Sequence, residues 1–247
     1  MFTFRSGFVK RGFRCEGIPE WMSLIRAQRQ LESIHVAADW KRWLVFDVDL
    51  RDAEGDANKK NTYKHRKCVS EHRDIDICPR CWPIAQIAEI ILDEIVTKGL
   101  GLSPPLLIFS GNGGLHAWYR LRDDDMSQSS AFTSEATREF LIVLLATPLT
   151  TSPTLAARIL SIFPALTMEE LLRIMPTFDR KPTCEHKHML RSPFSLNPKS
   201  GCYALPIGIG GSIALLPYPK TTASESFHSI ATSAKIMEHW TRSFVLI

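Results

Sequence analysis

The first residues, MFTFRSGFVKRGFR, hold no unbroken apolar run; a charge interrupts them every few positions, and a secretory signal peptide is not expected. No stretch reads as a membrane span. The least charged segment, Gly201 to Pro219, carries Pro206, Pro217, Pro219, Gly208, Gly210 and Gly211, which break a spanning helix and favour short strands and turns. Low hydrophobicity is also missing. With 45% hydrophobic and 23% charged residues in 247, the composition excludes disorder and allows a sizeable core. No internal repeat and no obvious linker divides the chain, so one domain over residues 1–247 is expected.

Acidic residues are absent from positions 1–15, which hold Arg5, Lys10, Arg11 and Arg14. Positions 59–73 set Lys59, Lys60, Lys64, Arg66, Lys67 and Arg73 against Glu71 alone. The net charge is only +4, but clustered cations bind phosphates better than the total suggests; a solvated charged face accounts for such runs equally. Of six cysteines, three fall within 68–81. A local cluster in a chain without an export signal points to a metal site in a reducing compartment rather than to disulfides. Cys15, Cys184 and Cys202 read as small core residues.

In WLVFDVDL, Leu44, Phe46, Val48 and Leu50 alternate with Val45, Asp47 and Asp49, the period of a strand with one buried face. The alternation puts both carboxylates on the other face. Further on, Ile84, Ile87, Ala88, Ile91 and Ile95 recur at helical spacing, with Gly99 as a left-handed cap. LLIFS and LHAWYRL flank a glycine-dense linker and predict a hairpin with Ser110 and His116 at its tip. Residues 133–147 and 153–175 are helical in pattern, and beyond Pro176 the chain returns to short extended segments. The fold class expected is α+β, with largely antiparallel strands, flanking helices (a helical segment at about 130–175) and a small zinc-bound elaboration at about 62–82.

Three constellations carry chemistry. Asp47 and Asp49, at i and i+2 on a strand, have Cα atoms about 7 Å apart and point the same way, so they can converge on hard cations such as Mg²⁺ or Mn²⁺. A chance pair of acids on a solvent-facing strand has the same pattern. Ser110, Gly111 and His116, with the neighbouring glycines, form either a backbone and side-chain cradle for a triphosphate or a tight turn beside a bystander histidine. Cys68, His72, Cys78 and Cys81 form a closed four-ligand set for a structural Zn²⁺, with His65 as the alternative to His72 and buried free thiols as the alternative to metal.

In order, LVFDVDL, DIDICPRCW, LLIFSGNGGLHAW and KHMLRSPFSLNPKSG resemble motifs of the catalytic small subunit of archaeal and eukaryotic DNA primases, and FRSGFVKRGF resembles a basic N-terminal segment of that family. The wording is nearest the eukaryotic branch, over residues 3–207. The resemblance implies that Asp47, Asp49 and Asp179, the last nine residues before His188, bind two catalytic metals. It implies that Ser110, Gly111, His116, Arg191 and Arg11 hold the incoming nucleotide. The zinc it implies is structural. Departures are Asn112 and Gly113, where the family commonly has arginine, Asn197 in place of a usual histidine, and less helical material between Leu121 and Pro176, so a short, divergent member is expected.

The implied activity is that of a DNA-directed RNA polymerase making short primers from ribonucleoside triphosphates on a single-stranded DNA template by two-metal nucleotidyl transfer. The implied setting is nuclear, with the iron–sulfur primase large subunit and the replicative DNA polymerase alpha complex as partners and no membrane. A nucleoid or viral factory is the corresponding site outside eukaryotes. Two other readings are open: a primase-polymerase that adds deoxynucleotides in repair or damage bypass, and a non-catalytic, zinc-stabilised nucleic-acid-binding subunit.

Overall fold

A computed structural model of the chain describes residues 2–6, 9–13, 33–37, 40–50, 81–111, 113–121, 131–186, 188–195, 197, 203–211 and 226–242. Its strands are β1 (Phe2–Ser6), β2 (Val9–Phe13), β3 (Ser33–Ala37), β4 (Trp43–Asp49), β5 (Leu106–Phe109), β6 (Gly114–Arg120), β7 (Thr177–Asp179), β8 (Met189–Arg191) and β9 (Leu205–Ile209). The helices are α1 (Cys81–Leu92), α2 (Glu135–Ala146), α3 (Pro148–Thr151), α4 (Pro153–Ile162), α5 (Met168–Ile174), α6 (Arg180–Cys184) and α7 (Ser226–Arg242). The strands form a four-stranded sheet ordered β2-β1-β3-β8 and a five-stranded sheet ordered β7-β4-β6-β5-β9. Every pairing is antiparallel, and the fold is α+β.

The larger sheet is built on the alternation of β4. Leu44, Phe46, Val48 and Leu50 join Leu107, Phe109, Leu115 and Tyr119 in a core that packs against Ile84, Ile87, Ala88 and Ile91 of α1. The opposite face differs along its length. Towards the Trp43 end it is also buried, where Val45, Leu106, Ile108, Trp118 and Leu190 gather under Trp240 of α7. Towards the Asp49 end the polar residues begin. Only part of the second face is polar, because α7 and β8 cover the rest.

The helix over 81–95 forms as its spacing predicts, but it does not end at Gly99. After Leu92 the chain widens into a π-helical turn, Asp93–Lys98, and Gly99 has a right-handed φ of −64° with its N–H bonded to Glu94 O. The buried Tyr119 hydroxyl donates to Leu92 O at 3.3 Å and shares a 3.2 Å bond with Thr97 Oγ1, a side-chain insertion of the kind that opens a helical ladder. The left-handed residue is Gly101, at φ 67°.

The helical pattern over 153–175 is split. It breaks after Ile162 and restarts at Thr167, whose side chain and that of Glu170 form a reciprocal capping box. Helix α7 is an element that the sequence reading leaves as extended chain. Its signal is weak: Ser233, Ile236, Met237 and Trp240 at helical spacing in an otherwise polar segment. No helix among the described residues is long and apolar enough to cross a membrane.

A β-carbon at Gly101 would meet no atom within 4 Å, so only its left-handed backbone opposes a side chain. Gly101→Ala is expected to lower unfolding free energy by about 1–2 kcal/mol, read from the urea midpoint at unchanged slope. An unshifted midpoint would contradict the assignment.

Candidate active site

The register of β4 decides the geometry. Asp47 pairs with His116 of β6 on one side and with Asp179 of β7 on the other, while Asp49 pairs with Gly114 and Thr177. Directly paired antiparallel residues share a face, with Cα atoms about 4.5–5.5 Å apart. Asp47, Asp49, His116 and Asp179 therefore stand on one face, at the end of the sheet that α7 leaves uncovered.

Asp47 is partly buried, and its pKa is pushed up to about 7. Burial is the largest cause and the Asp179 charge the next; His188 and the Val48 backbone amide pull the other way. His116 Nε2 lies 3.6 Å from Asp47 Oδ1. Yet burial, reinforced by the Arg191 charge, drops the imidazole pKa to about 3. Desolvation thus outweighs attraction, and at neutral pH this contact is not an ion pair. His116 is a neutral hydrogen-bonding group, and its buried Nδ1 has no hydrogen-bond partner among the described residues.

Asp179 closes β7 and caps α6: its Oδ1 accepts from the Lys181 N–H at 3.1 Å. Arg191 ends β8, paired with His35, and is close enough to influence His116. His188, which the sequence reading uses only as a spacing mark, stabilises the Asp47 charge. The signal for it was its place between Asp179 and Arg191.

The β5–β6 hairpin forms as predicted, with Ser110 at its tip, but His116 lies within β6, between Ile108 of β5 and Asp47 of β4, and not at the tip. Ser110 N–H donates to Gly114 O at 2.8 Å, and Gly114 N–H donates to Ser110 Oγ at 3.1 Å, which leaves the hydroxyl proton of Ser110 to point elsewhere. Gly111 and Gly113 adopt left-handed φ values of 78° and 73°. Leu50 N–H donates to Gly113 O at 3.1 Å, so the turn is tied to the end of β4 just beyond Asp49.

Arg11 lies on β2 opposite Phe4, at the edge of the four-stranded sheet away from β8 and Arg191, and its side chain is outside the described residues. Cys68, His72, Cys78, His65 and Asn112 are likewise outside them. Of the zinc candidates Cys81 is described: it opens α1, is buried, and its thiol donates to Leu50 O at 3.7 Å. Cys184 is a buried thiol whose pKa burial raises to about 11, in keeping with a core role; Cys15 and Cys202 lie outside the described residues.

As the side chains stand, no group of three or more His, Cys, Asp or Glu among the described residues is arranged to hold a metal ion. The donor set nonetheless fits Mg²⁺ or Mn²⁺. These ions are bound through one or two carboxylates, with water and substrate phosphates completing the shell, and Asp47 beside Asp179 is a like-charged pair that a cation would relieve.

A family model described as DNA primase small subunit matches residues 46–209. The DNA primase small subunit of Schizosaccharomyces pombe is 35% identical over 78 residues, 32% of this chain and 14% of that protein. That of Caenorhabditis elegans is 32% identical over 78 residues, again 32% of this chain and 16% of that protein. The match therefore spans only a small part of either relative's length. Among solved structures, the polymerase domain of Mycobacterium tuberculosis Ligase D in complex with DNA aligns with a TM-score of 0.46 and 18% identity, covering 96% of this chain and 72% of that one.

Two outcomes test the geometry. The carboxyl of Asp47 holds its proton more tightly folded (about 7) than at the ordinary value of 3.8, so cation-free protein loses stability as pH rises from about 4 to 7. Asp47→Asn should remove that loss and raise Tm by a few degrees at pH 8 but not at pH 4; equal Tm values at both pH values would refute the raised proton affinity of Asp47. A β-carbon on Gly114 would stand 2.8 Å from Ser110 Oγ. Gly114→Ala should therefore destabilise by about 1–3 kcal/mol, with part recovered in Gly114→Ala/Ser110→Ala, measured by chemical denaturation.

Proposed function

Since the chain belongs to the DNA primase small subunit family, we propose that it is a nucleotidyltransferase that makes short RNA primers on single-stranded DNA. The observation that carries this reading is the pairing of Asp179 with Asp47, which brings acids from distant parts of the sequence to one face beside Asp49. In the reaction, the 3′-hydroxyl oxygen of one nucleotide forms a bond to the α-phosphorus of the next. The α–β phosphoanhydride bond breaks and pyrophosphate leaves. Two divalent ions held by Asp47, Asp49 and Asp179 would acidify the hydroxyl and offset charge on the leaving group.

The chain's own residues position the triphosphate. The Arg191 guanidinium supplies positive charge, the Ser110 hydroxyl donates a hydrogen bond, and His116 donates as a neutral imidazole rather than as a cation. Gly111 keeps the turn open to a phosphate, and Arg11 adds charge from the smaller sheet. Cys68, His72 (or His65), Cys78 and Cys81 hold a structural zinc. Cys81 would ligate it as a thiolate at the start of α1, near Leu50 at the end of β4, giving up its S–H bond to Leu50 O. Basic residues in 1–15 and 59–73 track the template backbone, so binding weakens as salt rises. By family resemblance the chain acts in the nucleus with a larger iron–sulfur subunit and the DNA polymerase alpha complex.

The test is primer synthesis from ribonucleotides on a polypyrimidine template with Mn²⁺, with and without a primase large subunit. Wild-type protein is expected to make short RNA, and Asp47→Ala/Asp49→Ala to lose at least about 1,000-fold of the activity. Preference for deoxynucleotides would identify a primase-polymerase instead. Absence of synthesis in every combination would favour a nucleic-acid-binding subunit, and undiminished synthesis by the double variant would reject the metal assignment.

A further inference from the structure

The largest fully buried side chain among the described residues is an arginine. Arg138 on α2 is 0% exposed, and its four hydrogen bonds all end on backbone carbonyls. Nε donates to Phe132 O at 2.6 Å, Nη1 to Thr183 O at 3.0 Å, and Nη2 to Trp40 O at 3.2 Å and Trp43 O at 2.8 Å. The guanidinium carbon also sits 4.2 Å from the centroid of the Trp40 ring, which in turn stacks on His186 with centroids 3.4 Å apart. Burial lowers the Arg138 pKa to about 10, which leaves it charged at neutral pH.

Such a group is a poor choice for stability alone. Burying a charge is costly, and well-packed apolar replacements of buried ion networks are often neutral or stabilising. What an apolar side chain cannot do is fix three separate backbone segments in one plane through directed donors. Here those segments are the turn that enters β4, the loop before α2, and α6. Helix α6 starts immediately after Asp179, and its Thr183 hydroxyl donates to Val45 O of β4 at 2.9 Å. Strand β7 is only three residues long and pairs with β4 only at Asp47, Val48 and Asp49, so its own ladder is a weak tether. Beyond α6 the chain passes His186, on the Trp40 ring, to His188 and Arg191.

We propose that Arg138 is a positioning residue: through Thr183, Trp40 and Trp43 it holds the 177–191 segment against β4, and so sets Asp179 beside Asp47. The proposal rests on the primase reading only for its consequence in catalysis. The placement itself is a property of the fold. Lysine at this position keeps the charge but concentrates it on one nitrogen, which cannot span the carbonyls of both Thr183 and the Trp40–Trp43 turn.

The test compares wild type with Arg138→Lys and, as a milder change that keeps the core shape, Thr183→Val. Amide hydrogen exchange under native conditions is expected to quicken at least about tenfold in peptides covering 177–191, and to change less than about twofold in the 106–120 hairpin. Mn²⁺ affinity, measured by titration of the metal alone, should weaken about 10- to 100-fold in Arg138→Lys and less in Thr183→Val. Exchange that rises equally in both regions, or in neither, would overturn the proposal. Wild-type protein that binds no Mn²⁺ would count against the polymerase reading, while the exchange data would still decide the role of Arg138.

Discussion

Two carboxylates on neighbouring strands repel each other, and more strongly when one is withdrawn from water. Asp47 and Asp179 are in this position, in direct register across β4 and β7, and the proton affinity of Asp47 is raised first by its burial and then by the Asp179 charge. A fold does not keep such a pair without support. Here the support is the other face of the same strand, where Leu44, Phe46, Val48 and Leu50 are fully buried against α1. The apolar side of β4 holds its polar side in place, and site and core are two faces of one seven-residue strand.

The polar face is graded rather than uniform. Trp43 and Trp118 meet edge to face, Trp43 stacks on Trp240, and α7 is fastened by the bond from Trp240 Nε1 to Pro104 O. That packing seals one end of the face and leaves Asp47, Asp49 and the Ser110 turn at the other. Burial is therefore high enough to strip His116 of its charge, while Asp47 and Asp49 stay partly accessible. In the proposed nucleotide site a neutral imidazole and a charged guanidinium would divide the work, Arg191 bringing charge and His116 direction.

Phe194 adds a local feature near this face. Three residues beyond Arg191 it takes a left-handed φ of 62°, unusual for a side-chain-bearing residue, and it is held by the 2.6 Å bond from its N–H to Ala204 O. The bonds from Ser195 Oγ and Ser195 N–H to Ser192 O tighten the same turn. The chain that leaves β8 is thus held by directed bonds as far as Ser195.

How much of this was legible depended on the range of the physics involved. Alternation in β4, helical spacing in α1 and the glycine-rich β5–β6 turn are local, and reading them from residue order alone placed those elements and the face of Asp47 and Asp49. Asp179 was different. In a three-residue strand no periodicity can build up, and only likeness to a family marked it. The left-handed residue was expected at Gly99 and stands at Gly101, because Tyr119, a residue from β6, opens the helix there. Arg138 had no local signal, since its meaning lies in carbonyls of residues 40, 43 and 183. The sequence by itself determined β4, the β5–β6 hairpin, α1 and the chemical types at the site. Only the tertiary structure decided which distant acid stands beside Asp47, which histidine loses its charge and where the sheet is left open, because those follow from pairing and burial between segments far apart along the chain.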